Sequence, residues 1–169
     1  MKKFFFKFLI LFFYSINSYG QVVYIDINQI LNNSEIGKSL NLYLKEINDK
    51  NLTKFNEIEI ELKKKEEELL AQQNIIEKTQ FNIKVNNLSK EVQNYRTDKK
   101  TSLNKLNEIK IENTKKILKI LNPIITKYVE LNSISLVIPK KNIIIGKKNL
   151  DITDEIVKLL NNNSTSLDF

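Results

Sequence analysis

Cysteine and histidine are both absent from this sequence. Without them the usual zinc, iron and copper sites cannot be assembled. Ser-His and Cys-His nucleophilic pairs are excluded as well. The lack of cysteine also rules out disulfides and a lipid-modified cysteine anchor, so packing alone must hold the fold. Only three glycines occur, Gly20, Gly37 and Gly146, too far apart for a phosphate-cradling loop. Adjacent carboxylates exist in Glu66-Glu67-Glu68, but they sit in a charged run that reads as a solvated helix face. The sequence therefore argues against an enzyme, a metal site or a bound cofactor.

Glycine and proline are missing altogether from Lys38 to Asn122. Apolar runs rich in Val and Ile flank that stretch. Val22-Val23-Tyr24-Ile25-Asp26-Ile27 precedes it; Ile134-Ser135-Leu136-Val137-Ile138 and Asn142-Ile143-Ile144-Ile145-Gly146 follow it. A chain that leaves a sheet, crosses so long a helix-compatible stretch and returns must make a helical excursion. The expected fold class is α+β: a small β body carrying a long antiparallel coiled-coil hairpin arm.

The first residues read as an address. Met1-Lys2-Lys3 is positive, Phe4 to Phe13 is apolar apart from Lys7, and small residues stand at Ser18 and Gly20. This is the three-part pattern of a secretory signal peptide, residues 1–20, cleaved near Gly20-Gln21. The run is shorter than the ~20 apolar residues a membrane span needs. The expectation is a soluble, exported protein, with a Gram-negative periplasm as the best-fitting compartment and nucleic acid an improbable partner there.

Charge is uneven. The net formal charge is +7, and removing Lys2, Lys3 and Lys7 leaves +4. Lys38 to Glu77 carries seven lysines against nine acids, whereas Lys78 to Leu121 carries eleven basic residues against four acids. A basic limb attracts acidic partners such as anionic lipid or acidic polypeptide.

The excursion folds back in one register. Outbound apolar positions are Leu40, Leu44, Ile47, Phe55, Ile58, Leu62, Leu69 and Ile76. Returning ones are Phe81, Val85, Leu88, Val92, Tyr95, Leu106, Ile109 and Ile117. Folding about Lys78-Thr79 sets Ile76 against Phe81, Leu69 against Leu88, Leu62 against Tyr95 and Leu40 against Ile117. The arm spans residues 37–121 with its tip near 77–80, and Thr79 is the expected N-cap of the returning helix. Asn122-Pro123 is expected to close the arm and open a short new helix to Leu131. The seam is thin: Asn51, Lys65, Gln72, Lys99, Ser102 and Asn113 fall on it. Ile60, Ile75, Ile83 and Ile111 point away from it. With the basic set Lys84, Lys90, Arg96, Lys99 and Lys100, they are the candidate contacts for an unfolded chain.

Residues 21–36 and 122–169 form the body, small enough to have marginal burial. A three-stranded sheet is expected, with Pro139-Lys140-Lys141 turning between its last two strands. Val22, Tyr24, Ile134, Leu136, Ile138, Ile143, Ile144 and Ile145 are the expected core and oligomer interface, since they exceed what one small sheet covers. Asp151 or Thr153 caps a final helix whose apolar face is Ile152, Ile156, Leu159 and Leu160. Asn161 to Phe169 reads as a polar tail.

The order of these parts resembles the Skp/OmpH family of periplasmic chaperones. Tyr24-Ile25-Asp26-Ile27-Asn28-Gln29-Ile30-Leu31, with Ser34-Glu35-Ile36-Gly37-Lys38, is similar to that family's start. Asp151-Ile152-Thr153-Asp154-Glu155-Ile156-Val157-Lys158-Leu159-Leu160 is similar to its end. The resemblance implies a homotrimer joined through the β bodies, with three arms around a cavity. It implies ATP-independent holding of unfolded outer-membrane β-barrel proteins, with anionic lipid or lipopolysaccharide as a further partner. The competing reading is an exported coiled-coil tether that binds one defined envelope partner.

Overall fold

The computed structural model describes residues 20–163. The expected signal peptide, but for Gly20, and the end of the polar tail lie outside them. Strand β1 (Gln21–Ile25) leads into a short helix α1 (Ile27–Asn33) and a long helix α2 (Glu35–Ala71). The returning helix α3 (Lys78–Leu131) is longer still, at 54 residues. Strand β2 (Ile134–Pro139), 3-10 turns at Lys140–Asn142 and Lys148–Leu150, and helix α4 (Thr153–Asn163) complete the order. At about 1.5 Å per residue, α2 extends roughly 55 Å. The architecture is α+β, dominated by one helical hairpin.

Two side chains start the outbound limb. Asp26 accepts from the Gln29 amide at the head of α1, and Ser34, fully buried, accepts from the Gly37 amide at the head of α2. Helix α1 turns directly into α2, and this brings the Leu31 carbonyl against Gly37. A Cβ at position 37 would lie 1.7 Å from that oxygen, so only glycine fits there.

Strands β1 and β2 pair in parallel, Val23 beside Val137 and Ile25 beside Pro139, with an irregularity between Gln21 and Val22. The whole arm is thus the crossover between two neighbouring strands. The core lies at the arm's root. Val23 and Ile25 of β1, Ile30 of α1, Ile36 and Leu40 of α2, Ile117 and Leu121 of α3, and Ile156 and Leu160 of α4 are buried together.

Several expectations are corrected here. The sheet of the described residues has two strands, not three. Pro139 has no amide hydrogen to continue the ladder, the chain turns at Lys140–Asn142, and residues 143–147 pair with neither strand. Ile144 and Ile145 are consequently fully exposed, Val22 and Leu136 are about half exposed, and Ile143 and Ile138 are half-buried. Of the eight expected body residues, only Tyr24 and Ile134 are buried in the single chain. Pro123 does not begin a new helix but lies inside α3. It forfeits one helical hydrogen bond, to the carbonyl of Lys119. Both residues are on the exposed face, while Leu121 before and Ile124, Ile125, Tyr128 and Val129 after pack on one core and carry the helix through. The reversal occupies residues 72–77, short of the expected tip, so Thr79 already lies within α3, whose N-cap is Glu77 with no side-chain cap bond.

Asp151 ties β1, the turn after β2 and α4. Position 151 bridges to Tyr24, and the Ile152 amide donates to the Tyr24 carbonyl at 3.1 Å. The Asp151 carboxylate accepts from the Thr153 amide and hydroxyl and pairs with Lys140 at 3.0 Å. The Thr153 hydroxyl in turn accepts from the Asp26 amide at 2.9 Å. Burial pushes the Asp151 carboxyl up, but the bonds from Thr153 and Lys140 outweigh it and hold the acid below its ordinary range. A depressed carboxyl stabilises the fold above its unfolded pKa, and the contribution is lost as pH falls through its folded value. Asp151→Asn should therefore lower the urea midpoint at pH 7, and the gap from wild type should close below about pH 4. Urea titrations at pH 7 and pH 3 measure both; a gap of equal size at the two values would refute the linkage.

Candidate functional site

The arm is the only large surface raised clear of the body among the described residues, and its seam decides what it exposes. From Phe55 outward the half-buried or buried positions of α2 are Phe55, Ile58, Leu62, Lys65 and Leu69, and Gln72 and Ile76 continue them into the reversal, in steps of three and four. On α3 they include Phe81, Leu88, Val92, Tyr95, Ser102, Leu106, Ile109 and Asn113. This is the coiled-coil spacing with polar members retained. Val85 departs from the expected seam and is exposed.

Direct contacts fix the register. Lys65 Nζ reaches Glu91 at 2.8 Å and also pairs with Glu61 at 2.9 Å. Lys84 Nζ donates to Gln72 at 2.6 Å near the tip. Leu69 and Leu88 line the same two clefts, one on each side of the seam. Further in, Tyr95 meets Phe55 edge-to-face at 6.0 Å between ring centres. Phe55 stands one heptad nearer the body than Leu62, the expected partner of Tyr95. An edge-to-face aromatic pair adds about 0.5–1.5 kcal/mol beyond its burial, which favours this lean. Among the described residues Phe55 is the one buried apolar side chain of the arm outside the core cluster, at 6% exposure.

Polar members of the seam are satisfied. Lys99 donates to the Tyr95 hydroxyl, and that hydroxyl donates to Glu59, each at 2.9 Å. The Tyr95 bond, with a smaller part from the Glu59 charge, raises the Lys99 pKa. The bonds Lys65 donates to Glu91 and Glu61 raise its own pKa further. Both ammonium groups lie in solvent, so screening keeps their contribution to stability small. Asn113, buried, donates to the Ile109 carbonyl and accepts from Lys116.

The candidate contact residues do not converge on one pocket. Lys84 and Lys99 are engaged at the seam. Arg96 flanks an open groove of about 850 Å³ between the limbs, floored by Leu62, Leu69, Leu88 and Val92. Lys90 and Lys100 are exposed and make no ion pair among the described residues. Ile60, Ile75, Ile83 and Ile111 all stand more than half exposed, away from the seam. Sequence reasoning missed Leu42, Leu52, Leu70 and Leu103, which are exposed in the same way. Leu52, Leu70 and Leu103 each neighbour a seam residue in sequence and Leu42 lies between Leu40 and Leu44, and the pattern alone does not separate such residues from a broader seam. Among the described residues no cluster of metal-ligating side chains occurs, and no helix is long and apolar enough to cross a membrane.

The register is testable because the chain lacks cysteine. Leu69→Cys with Leu88→Cys should crosslink within one chain, since facing seam positions approach disulfide range. Preferential pairing of Leu69→Cys with Val92→Cys on non-reducing gels would show the limbs offset by about one turn.

Comparison with known proteins follows the same outline. No curated protein matches the sequence. A solved structure from Caulobacter crescentus, described as an outer membrane chaperone (OmpH-like), superposes with a TM-score of 0.78 at 16% identity, covering 89% of each chain. That likeness establishes the fold. The model of the family described as "Outer membrane protein (OmpH-like)" matches residues 21–160, all of both strands and both limbs of the arm, and the chain therefore belongs to the OmpH-like family.

Proposed function

We propose that this protein is an ATP-independent periplasmic holdase: it takes up unfolded outer-membrane β-barrel proteins in a cavity between arms and prevents their aggregation. The observation that carries the reading is the arm itself. It is a long hairpin whose apolar side chains stand singly in solvent and whose returning limb is basic. Scattered apolar spots hold a chain weakly wherever it touches, without a pocket that selects one sequence. Weak contacts let go without an energy source. Unpaired cations such as Lys90, Arg96 and Lys100 draw in acidic chains from a distance.

A cavity requires more than one arm. Ile144 and Ile145, Val22 and Leu136 leave an apolar surface on the body of a single chain, and a homotrimer joined through the bodies is the reading that covers it. Anionic lipid or lipopolysaccharide is a further ligand for the basic limb. A tether for one folded partner would use the same hairpin, but nothing in the arm gathers its exposed groups into one shaped interface.

Two outcomes are expected. The purified chain should sediment as a trimer at micromolar concentration, and Ile144→Asp should dissociate it, because a buried unpaired charge costs several kcal/mol. A wild-type monomer would remove the cavity and the reading with it.

Capture should separate charge from apolar contact. Neutralising Lys84, Lys90, Arg96, Lys99 and Lys100 should slow binding of an unfolded outer-membrane protein and flatten its salt dependence. Exposed charges act mainly through steering, screened within about 10 Å at 0.1 M salt. Changing Ile60, Ile75, Ile83 and Ile111 to Ser should instead speed release, each losing at most roughly 1–2 kcal/mol. Stopped-flow binding at two salt concentrations reads both; equal, salt-independent losses in the two variants would reject this division. Tight binding of one folded partner, with no effect on aggregation, would favour the tether.

A further inference from the structure

A second apolar groove, of about 550 Å³, lies on the body between α3 and α4. Two helix faces make it. Ile124, Tyr128 and Leu131 stand in steps of four and three on α3, and Glu155, Leu159 and Asn163 in steps of four on α4. The trough is thus about two helical turns long, roughly 12 Å. Leu131 is 74% exposed there, a large share for a leucine beside a core. None of the residues that a trimer would cover, Val22, Leu136, Ile144 and Ile145, lines it.

The donors around the trough are uncommitted. Lys127 and Lys158 border it, and neither makes a hydrogen bond or ion pair among the described residues. The half-buried Tyr128 hydroxyl likewise has no hydrogen-bond partner among them. Burial, and then the Glu155 charge, push that phenol up, so it stays a neutral donor. Two cations and a phenol beside an apolar floor suit a carboxylate joined to an apolar body. Glu155, the one acid in the lining, narrows the choice. An alkyl carboxylate has no proton to give it and would only be repelled. A peptide brings N–H groups that Glu155 can accept.

We propose that this groove binds the carboxy-terminal end of a client polypeptide, its last, apolar side chain on Ile124, Leu131 and Leu159 and its α-carboxylate between Lys127 and Lys158. The α-carboxylate and the last side chain leave the same Cα, so every chain ending in an apolar residue carries the two at a short, fixed spacing. Within a chain, an acid stands beside an apolar residue only where the sequence happens to place it. About three or four extended residues fill the trough at roughly 3.3 Å each. Glu155 is left to accept an amide N–H of a preceding residue. The holdase reading supplies the identity of the bound chain, and the inference rests on it for that alone. A terminus held at the body while the rest lies along the arm joins two weak engagements into a stronger one.

Fluorescence polarisation of the full chain with a labelled hexapeptide ending in Phe reads the site. The free acid should bind about 10-fold tighter or more than the C-terminal amide, because hydrogen bonds to a charged group are the strong ones. Lys127→Gln with Lys158→Gln should erase that difference, and Leu131→Ser should weaken the acid. All three positions are exposed, so the urea midpoint should stay near wild type. Equal binding of acid and amide would overturn the proposal, as would a preference that survives the double lysine variant. Dodecanoate binding more tightly than the peptide acid would also overturn it and assign the groove to lipid. Absence of terminal preference while aggregation of an unfolded client is still suppressed would strike this inference alone. Intact preference with no suppression would strike the holdase reading and keep the groove.

Discussion

The arm stands because its root is buried. Leu40 on the outbound helix and Ile117 and Leu121 on the returning one sit in the same cluster as Val23, Ile30, Ile156 and Leu160. That cluster is the body's core and the arm's clamp at once. Side chains from both strands and all four helices pack in or against it. Beyond it the limbs meet only along a single line of side chains. Close packing gives the root its stiffness, and distance from the root sets how freely the two limbs can part.

Polar groups on the seam trade strength for register. Lys65 between Glu61 and Glu91, Lys84 on Gln72, and the chain from Lys99 through Tyr95 to Glu59 each join groups that stay in contact with water. Solvated pairs add little stability, but they distinguish one alignment of the limbs from its neighbours. An uninterrupted leucine seam would hold harder and would withdraw more apolar surface from solvent. The arm instead leaves Ile60, Ile75, Ile83 and Ile111 outside, with further leucines beside them.

Much of this was legible in the sequence, and the rest was hidden for definite physical reasons. The three-and-four spacing marked the hairpin, and Ile60, Ile75, Ile83 and Ile111, off that spacing, were readable as exposed. The missing glycine and proline between Lys38 and Asn122 marked the arm's extent, because few other residues break a helix so reliably. Pro123 misled because a local rule met a tertiary exception: apolar residues on both sides of it share one core, and its own side faces water. Thr79 misled because capping residues suit a helix's second position almost as well by composition. The run Asn142 to Gly146 read as a strand from its Ile content, but a strand needs an edge to pair with, and no single sequence segment states whether one is free. The groove between α3 and α4 was invisible, since it arises from how two helices cross the core and not from any pattern along either.

The parallel pairing of β1 and β2 has a kinetic meaning. Gln21 lies beside Ile134, so the first strand of the body finds its partner only after more than a hundred intervening residues. Closing a loop that long from a disordered chain costs entropy before any strand contact returns it. The arm removes most of that cost. Its limbs join through local turns, and each turn of helix that zips from the tip shortens the span left to close. By the time Leu40 and Ile117 meet, the two strands are neighbours. The same hairpin that projects into solvent is thus the device by which this small, disulfide-free body finds its own ends.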